Sequence, residues 1–262
     1  MKNVVLFDLD DTLMVEFESA MQTFLEVAKY ASPIIGVQPE IIVEKARENS
    51  RKEWYGLPTI EYCLRIGISS WEGLWANFGG DHPELMKLKE MASSYRRNSW
   101  LNTLREFDAN DPDLAAELAD QFYTKRREKK VQIPFARQIV ETLHKSYRLG
   151  IITNGAPDLQ SEKIQNSGFE RYFEHIIISG EVDIAKPNPL IFNIALEKFD
   201  ICACETVMVG DSISKDIVGA ISVGIQPIFF NPNGKDVPPD MTNSVESISC
   251  LLQLPELLES ME

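Results

Sequence analysis

The sequence predicts an α/β protein with a doubly wound, Rossmann-like parallel sheet of five core strands and an inserted all-helical module. The first indication is the continuously apolar run Val4–Phe7, which suits a strand buried on both faces. The second is the alternation of helix and strand patterns from Pro134 onward, which is typical of repeated β-α-β units. Between these segments, residues 16–132 have helical periodicity and almost no strand signal.

The helical stretch begins with an apolar pattern at helical spacing that includes Phe17, Met21 and Phe24. The same periodicity returns over residues 85–107 and 114–123. A helical block cannot extend a parallel sheet, so we interpret residues 16–132 as an inserted domain. Residues 1–15 and 133–262 then form the core domain around the sheet.

Four further strands are expected after the insert, each preceded by a helix. The predicted helices and strands are, in order, 135–147 and 151–153, 159–168 and 175–178, 189–199 and 206–209, and 215–223 and 225–230. The tail from Asn231 is rich in Pro and Asn, which favours a loop, and a short helix is expected around residues 254–258.

Composition restricts the possible partners. The formal net charge of −14 argues against binding to a nucleic acid polymer or an anionic membrane, because both attract basic surfaces. No run of 18 apolar residues occurs, and no small-residue cleavage site follows the apolar N-terminal stretch. We therefore expect a cytoplasmic protein. Its four cysteines are few for 262 residues, and we expect them to be reduced, structural thiols.

Polar residues collect where the predicted strands end. They are Asp8, Asp10, Asp11 and Thr12 after the first strand, Thr153 and Asn154 after the second, Lys186 in a loop, and Asp211 with Asp216 after the fourth. In open α/β sheets, ligands bind beyond the carboxyl ends of the strands. The first carboxylates have no basic neighbour in sequence and would repel one another without a cation. Magnesium, which prefers oxygen ligands, is the expected cofactor.

These motifs resemble those of the haloacid dehalogenase superfamily, which uses an aspartate nucleophile and includes many phosphatases. The matching positions are Asp8–Thr12, Thr153, Lys186 and Gly210–Asp216. The resemblance covers about residues 1–15 and 133–232, and the insert is similar to the family's C1 type of helical cap. Thr153 to Gly155, followed by Gln160 and Lys163, looks most like small-metabolite phosphatases such as pyrimidine nucleotidases and acylneuraminate-9-phosphatases.

The resemblance implies that Asp8 is the nucleophile and forms an aspartyl-phosphate intermediate. Asp10 lies two residues further on, so an extended backbone would point both side chains to one side. It can then act as general acid and base. Thr153, with the amide of Asn154, would hold phosphoryl oxygens, and Lys186 would neutralise Asp8 and the transferring group.

The resemblance also implies a set of magnesium ligands. These are the Asp8 carboxylate, the backbone carbonyl of Asp10 and the Asp211 carboxylate, with Asp216 in a supporting or direct role. Lys215 is expected to be a surface side chain. The insert offers groups that could close over a nucleobase or a sugar, although most aromatic residues at helical spacing are core: Arg51, Trp54, Tyr55, Trp71, Trp75, Arg96, Arg97 and Trp100.

The predicted function is a Mg²⁺-dependent phosphatase of a small soluble phosphomonoester, such as a nucleoside monophosphate or a sugar phosphate. A 2-haloacid dehalogenase is the nearest alternative, but a departing halide needs no acid, so Asp10 would be superfluous there. A phosphomutase would return the phosphoryl group from Asp8 to a sugar. A non-catalytic phosphate-binding protein is the remaining alternative.

Overall fold

A computed structural model describes residues 2–239, 241 and 245–261. The predicted core domain also includes Met1, residues 240 and 242–244, and Glu262, which lie outside the described residues. The chain divides into two compact units. We call Met1–Val15, Val131–Gly155 and Gln160–Glu262 the sheet unit, and Glu16–Lys130 with Ala156–Leu159 the helical unit.

The helical unit contains six helices that pack around an aromatic core. They are α1 (Phe17–Ile35), α2 (Pro39–Tyr55), α3 (Ile60–Ile66), α4 (Ser70–Gly73), α5 (Pro83–Arg105) and α6 (Pro112–Glu128). Pro39, Pro83 and Pro112 each stand in the first turn, where the missing N–H costs no hydrogen bond. The rings of Phe24 and Phe122 pack in a tilted arrangement with centroids 4.6 Å apart, and both side chains are fully buried. The amphipathic periodicity of the insert therefore reflects a core of its own.

The described residues of the sheet unit form six parallel strands in the order β3-β2-β1-β4-β5-β6. They are β1 (Val4–Phe7), β2 (Arg148–Thr153), β3 (His175–Ile178), β4 (Thr206–Gly210), β5 (Gln226–Phe230) and β6 (Glu246–Ile248). The predicted fold class is confirmed, but the sheet has one strand more than the five expected. The extra strand, β6, is three residues long and pairs with β5 at the edge of the sheet.

Strand β1 lies at the centre of the sheet. Val4 and Leu6 belong to the hydrophobic cluster on one face, and Val5 and Phe7 to the cluster on the other. All four side chains are fully buried, which explains why the run is continuously apolar rather than alternating. The residue after this strand is Asp8, so the strand delivers the first predicted site residue to the carboxyl edge of the sheet.

In the part of the chain that the structure describes, six α-helices accompany these strands. They are α7 (Ala136–Leu143), α8 (Pro157–Ser167), α9 (Ser179–Val182), α10 (Pro189–Phe199), α11 (Val218–Ser222) and α12 (Leu254–Ser260). The helix expected over 215–223 instead opens with a π-helical turn, Ile213–Ile217, that continues into α11. None of the helices among the described residues combines the length and the apolar character needed to cross a membrane.

The cysteine prediction was wrong for one pair. Cys202 and Cys204 form a disulfide in the structure, whereas Cys63 and Cys250 are free. The 3₁₀ turn Ala203–Glu205 places the Cα atoms of the bonded pair 5.4 Å apart, which is within the range that a disulfide spans. A spacing of one residue between cysteines does not reveal this turn.

Candidate active site

Asp8 occupies the residue directly after β1 and is almost completely buried. Its backbone N–H donates to the Val209 carbonyl at 2.9 Å, which continues the pairing with β4 by one residue. One carboxylate oxygen accepts a hydrogen bond from Lys186 Nζ at 2.6 Å, and the other accepts one from Thr12 Oγ1 at 3.3 Å. Both oxygens therefore have a fixed direction at the edge of the sheet.

Lys186 is held from its backbone as well as from its ammonium group. Asn154 Nδ2 donates to the Lys186 carbonyl at 3.0 Å, and Asn154 Oδ1 accepts from the Lys186 N–H at 2.8 Å. The ammonium nitrogen lies 2.6 Å from Asp8 Oδ1 and 2.6 Å from Asp216 Oδ1. A single buried cation thus bridges two buried carboxylates.

Asp216 reaches this position because Gly210 has no side chain. A Cβ atom on Gly210 would lie 2.4 Å from Asp216 Cγ, closer than real contacts allow. Asp216 Oδ2 also accepts the Ser212 N–H at 3.0 Å, so the carboxylate closes the turn after β4. The glycine in Gly210–Asp211 is therefore required by packing.

Asp10 and Thr153 are joined by one side chain that comes from α8. Gln160 Nε2 lies 2.6 Å from Thr153 Oγ1 and 2.9 Å from Asp10 Oδ2, within donating distance of both oxygens. Lys163, one helical turn after Gln160, places Nζ 3.0 Å from each carboxylate oxygen of Asp10. Gly155 has φ +145° and its Cβ would lie 2.9 Å from Gln160, so glycine is needed for the turn into this helix.

Asp211 completes a group of three carboxylates. Its N–H donates to Thr12 Oγ1 at 3.1 Å, and its Oδ2 lies 3.3 Å from Lys235 Nζ. One carboxylate oxygen each from Asp8, Asp211 and Asp216 can be chosen so that all lie within 4.8 Å of one another. Three oxygen donors at this separation fit a hard divalent cation.

The pKa values of the buried groups reflect the close approach of several negatively charged carboxylates. Burial, and then the neighbouring carboxylates, raise the pKa of Asp8 well above its usual range, although Lys186 acts in the opposite direction. Burial and the charge of Asp216 raise the pKa of Asp211 to about 6, against the lowering effect of Lys235. For Lys186, burial lowers the pKa, but Asp216 and Asp8 outweigh it and leave the value raised. The lysine therefore stays charged, and the carboxylates remain short of positive charge.

The structure thus brings the predicted residues of the sheet unit together in two connected groups. One joins Asp8, Lys186, Asp211 and Asp216, and the other joins Asp10 and Thr153 through Gln160. Asn154 supports the first group through its side chain. Lys215 is exposed, as expected for a surface residue.

Several residues of the site make contacts that were not predicted from the sequence. Gln160 and Lys163 were part of the family resemblance but had no role, and their spacing of three on one helix was the available signal. Lys235 lies in a loop with no motif around it. Thr12 closes the first motif, and its hydroxyl links Asp8 to Asp211.

In the helical unit, the candidate aromatic and cationic residues separate into different environments. Arg51, Trp54, Tyr55 and Trp71 line one cavity of about 500 Å³. Trp100 is buried in the aromatic core, and Trp75 lies beneath the guanidinium groups of Arg126 and Arg127. Arg96 stacks on Tyr123, and Arg97 is exposed. The structure therefore does not gather the eight candidates into one cluster.

A family model for haloacid dehalogenase-like hydrolases matches residues 2–224. The chain belongs to this family. It is 31% identical to a phosphoserine phosphatase of Thermus thermophilus over 242 residues, which cover 91% of this chain and 94% of the relative. It is 27% identical to the N-acylneuraminate-9-phosphatase of Mus musculus, with 98% and 94% covered. The predicted resemblance and the prediction of a family phosphoric monoester hydrolase are confirmed.

The solved structures that match this chain have the same fold. A 2-haloacid dehalogenase from Pseudomonas syringae pv. Tomato DC3000 superposes with a TM-score of 0.62 at 29% identity, and all of both chains is covered. The proteins that match this chain thus include some named as phosphatases and others named as dehalogenases. The fold itself is therefore common to both kinds of enzyme.

Proposed function

We propose that the protein is a Mg²⁺-dependent phosphatase that hydrolyses a small soluble phosphomonoester through an aspartyl-phosphate on Asp8. The observation that carries the proposal is the second carboxylate, Asp10, held by Lys163 and Gln160 beside the Asp8–Lys186 pair. A nucleophile alone suits several reactions of this fold. A second, positioned carboxylate suits a reaction whose leaving group must be protonated.

In the first step, a carboxylate oxygen of Asp8 attacks phosphorus in line with the ester oxygen, and the phosphorus–oxygen ester bond breaks. Asp10 enters this step as the carboxylic acid, and the leaving alkoxide takes its proton. Lys186, 2.6 Å from Asp8, keeps the nucleophile oriented and reduces its repulsion from the incoming phosphate. The result is an acyl phosphate on Asp8 and a free alcohol.

In the second step, Asp10 takes a proton from a water molecule as the water attacks phosphorus. The bond between phosphorus and the Asp8 oxygen breaks, which releases inorganic phosphate and restores the carboxylate. Gln160 and Lys163 serve both steps because they keep the Asp10 side chain in one place. Thr153 can donate its hydroxyl proton to a phosphoryl oxygen, since its own oxygen lies within acceptor distance of Gln160, and the backbone N–H of Asn154 would assist.

Asp8, Asp211 and Asp216, with the backbone carbonyl of Asp10, would hold the magnesium ion. Their fit to the ion is supported by three hard oxygen donors within 4.8 Å of one another and by the raised pKa values of Asp8 and Asp211. When bound, the ion supplies positive charge that balances the carboxylates and the transferring phosphoryl group.

The substrate class follows from charge and from relatives. An acidic protein whose site holds two buried lysines, Lys163 and Lys186, suits a small phosphorylated metabolite better than a polymer. The relatives named above are phosphatases of phosphoserine and of an acylneuraminate 9-phosphate, which supports this size class. We also propose that residues 16–132 act as a cap domain that selects the leaving group, and that the enzyme is cytoplasmic.

The test is release of inorganic phosphate from a panel of nucleotides, sugar phosphates, phosphoserine and phosphoglycolate, with Mg²⁺ and with EDTA. Asp8→Asn should abolish turnover, whereas Asp200→Asn, the same change at an exposed position of the sheet unit, should not. An Asp8→Asn enzyme with undiminished turnover, or a wild-type enzyme inactive on the whole panel, would refute the proposal.

A 2-haloacid dehalogenase is the alternative that the structural neighbours favour. Halide release from 2-chloropropionate, measured alongside phosphate release, decides between the two. A phosphomutase would form a bisphosphorylated sugar, which mass spectrometry of the reaction mixture would detect. A protein that binds phosphate and Mg²⁺ but turns over neither type of substrate would be a binding protein.

A further inference from the structure

Two lysines of the sheet unit are held by asparagine side chains in the same way. Asn154, directly after β2, binds both backbone polar groups of Lys186. Asn231, directly after β5, does the same for Lys235: its Nδ2 donates to the Lys235 carbonyl at 2.9 Å, and its Oδ1 accepts from the Lys235 N–H at 2.7 Å. In each case the asparagine directly follows a strand, and its side chain holds the backbone of a lysine in place.

The second arrangement closes a short loop with defined ends. The Asn231 N–H donates to the Ile248 carbonyl at 2.7 Å, which ties the loop to β6. The Gly234 N–H donates back to the Asn231 carbonyl at 3.3 Å, and Gly234 has φ +63°, a conformation that glycine adopts without strain. The loop therefore positions Lys235 through its backbone, independently of any charge that the ammonium group meets.

Both ammonium groups end on carboxylates of the candidate metal site. Lys186 contacts Asp8 and Asp216, and its side chain is only 2% exposed. Lys235 lies 3.3 Å from Asp211 Oδ2 and 3.5 Å from the Asp211 carbonyl oxygen, and its side chain is 53% exposed. Lys186 is thus enclosed with its partners, whereas Lys235 can move into solvent without opening the fold.

We propose that Lys235 is a displaceable counter-ion of Asp211, which neutralises this carboxylate when the metal is absent and competes with Mg²⁺ for it. The inference rests on the proposed function, because it assigns Asp211 to the metal. A single ammonium in a half-exposed ion pair contributes little, whereas a divalent cation bound by several oxygens gains much more. Mg²⁺ therefore displaces Lys235 from Asp211, but it binds with lower affinity than it would without this lysine.

The proposal differs from a role for Lys235 in binding substrate phosphate. A phosphate-binding lysine would raise KM when removed and leave Mg²⁺ binding unchanged. Removal of a competing counter-ion would instead change Mg²⁺ binding and leave KM unchanged, since it frees Asp211 and takes away a positive charge next to the metal. Direct titration of the metal into substrate-free protein therefore separates the two roles.

The experiment is isothermal titration calorimetry of MgCl₂ into metal-free protein. Lys235→Met should bind Mg²⁺ about two- to fivefold more tightly than wild type, the range expected for removing a partly exposed ion pair. Lys215→Met, which removes the same charge from an exposed position near Asp211 in sequence, should bind like wild type. Asn231→Ala, which keeps the lysine but releases its backbone, should shift the affinity in the same direction as Lys235→Met.

Unchanged or weaker Mg²⁺ binding by both Lys235→Met and Asn231→Ala would overturn the inference while leaving the proposed function intact. A similar gain in Lys215→Met would also overturn it, because the effect would then be general electrostatics. Wild-type protein that binds no Mg²⁺ would overturn both the inference and the metal dependence on which it rests.

Discussion

Lys163 places its ammonium nitrogen 3.0 Å from each carboxylate oxygen of Asp10, so the ion pair is symmetrical and the carboxylate plane is fixed. The two residues are separated by 153 positions in sequence. The pair links the end of β1 to α8, so the orientation of Asp10 depends on a residue of that helix.

We expect Lys163→Met to lower kcat for substrates with poor leaving groups by roughly tenfold, a part of the usual contribution of acid–base catalysis. Turnover of p-nitrophenyl phosphate should fall much less, because its leaving group departs without a proton. The measurement is kcat for an alkyl and an aryl phosphate. Lys163→Arg should restore part of the loss, and Lys198→Met, an exposed lysine, serves as control. Equal losses on both substrates would contradict a positioning role.

Gly210→Ala should impair Mg²⁺ binding and destabilise the fold. The added methyl would lie 2.4 Å from Asp216 Cγ, and the displaced carboxylate would lose its contacts with Lys186 and Ser212. Overpacking of this kind costs about 1–3 kcal/mol in free energy of unfolding, measured by urea denaturation. Gly56→Ala is the matched control, since its Cβ would have only ordinary contacts at 3.4 Å or more. Wild-type Mg²⁺ affinity in Gly210→Ala would show that the glycine is dispensable.

Lys186→Met should reduce the free energy of unfolding of the metal-free protein by about 3–5 kcal/mol at pH 7, because two buried carboxylates lose their cation. A second change, Asp216→Asn, should recover part of this loss by removing one of the unpaired charges. Urea unfolding of the single and double variants, with EDTA present, measures both effects. If the double variant were less stable than Lys186→Met, repulsion between carboxylates would not be the cause.

The raised pKa of Asp211 predicts a pH-dependent difference between wild type and Asp211→Asn. The folded-state pKa is about 6, against a usual value of 3.8, so folding disfavours the charged form. The destabilisation is absent below about pH 4, develops between pH 4 and 6, and is complete above pH 6, where it reaches on the order of 3 kcal/mol. The variant Asp211→Asn lacks this destabilisation at every pH.

Thermal unfolding without metal should therefore show the advantage of Asp211→Asn over wild type growing from pH 4 to pH 6.5. Adding Mg²⁺ at the higher pH should reduce or reverse this advantage, since the ion stabilises the wild-type carboxylates. A stability difference that is the same at all these pH values would mean that Asp211 titrates normally in the folded protein.

Part of the candidate site could be predicted because the ends of strands are visible in sequence. The buried run before Asp8, the strand before Thr153 and the strand before Gly210 each show apolar residues followed abruptly by polar ones. In a parallel sheet all such ends meet on one edge, so the pattern fixes both the fold class and the neighbours of Asp8.

The parts that were not predicted depend on contacts between distant residues. Strand β6 has exposed side chains at Glu246 and Ser247, so it resembles a loop in sequence, and its strand character comes from pairing with β5. The spacing of Gln160 and Lys163 on one helix does not reveal that both meet Asp10, and the loop that carries Lys235 to Asp211 has no local pattern. Local periodicity reports burial, but it does not report which charged groups meet.

The order of strands has a consequence for synthesis on the ribosome. The six helices α1 to α6 all lie within Glu16–Lys130, so they can pack together once this stretch has emerged. Strand β1 emerges earlier still, but its partners are β2, which begins at Arg148, and β4, which begins at Thr206. A nascent chain shorter than this keeps β1 unpaired on at least one side, so a strand made early is among the last elements to acquire its native neighbours.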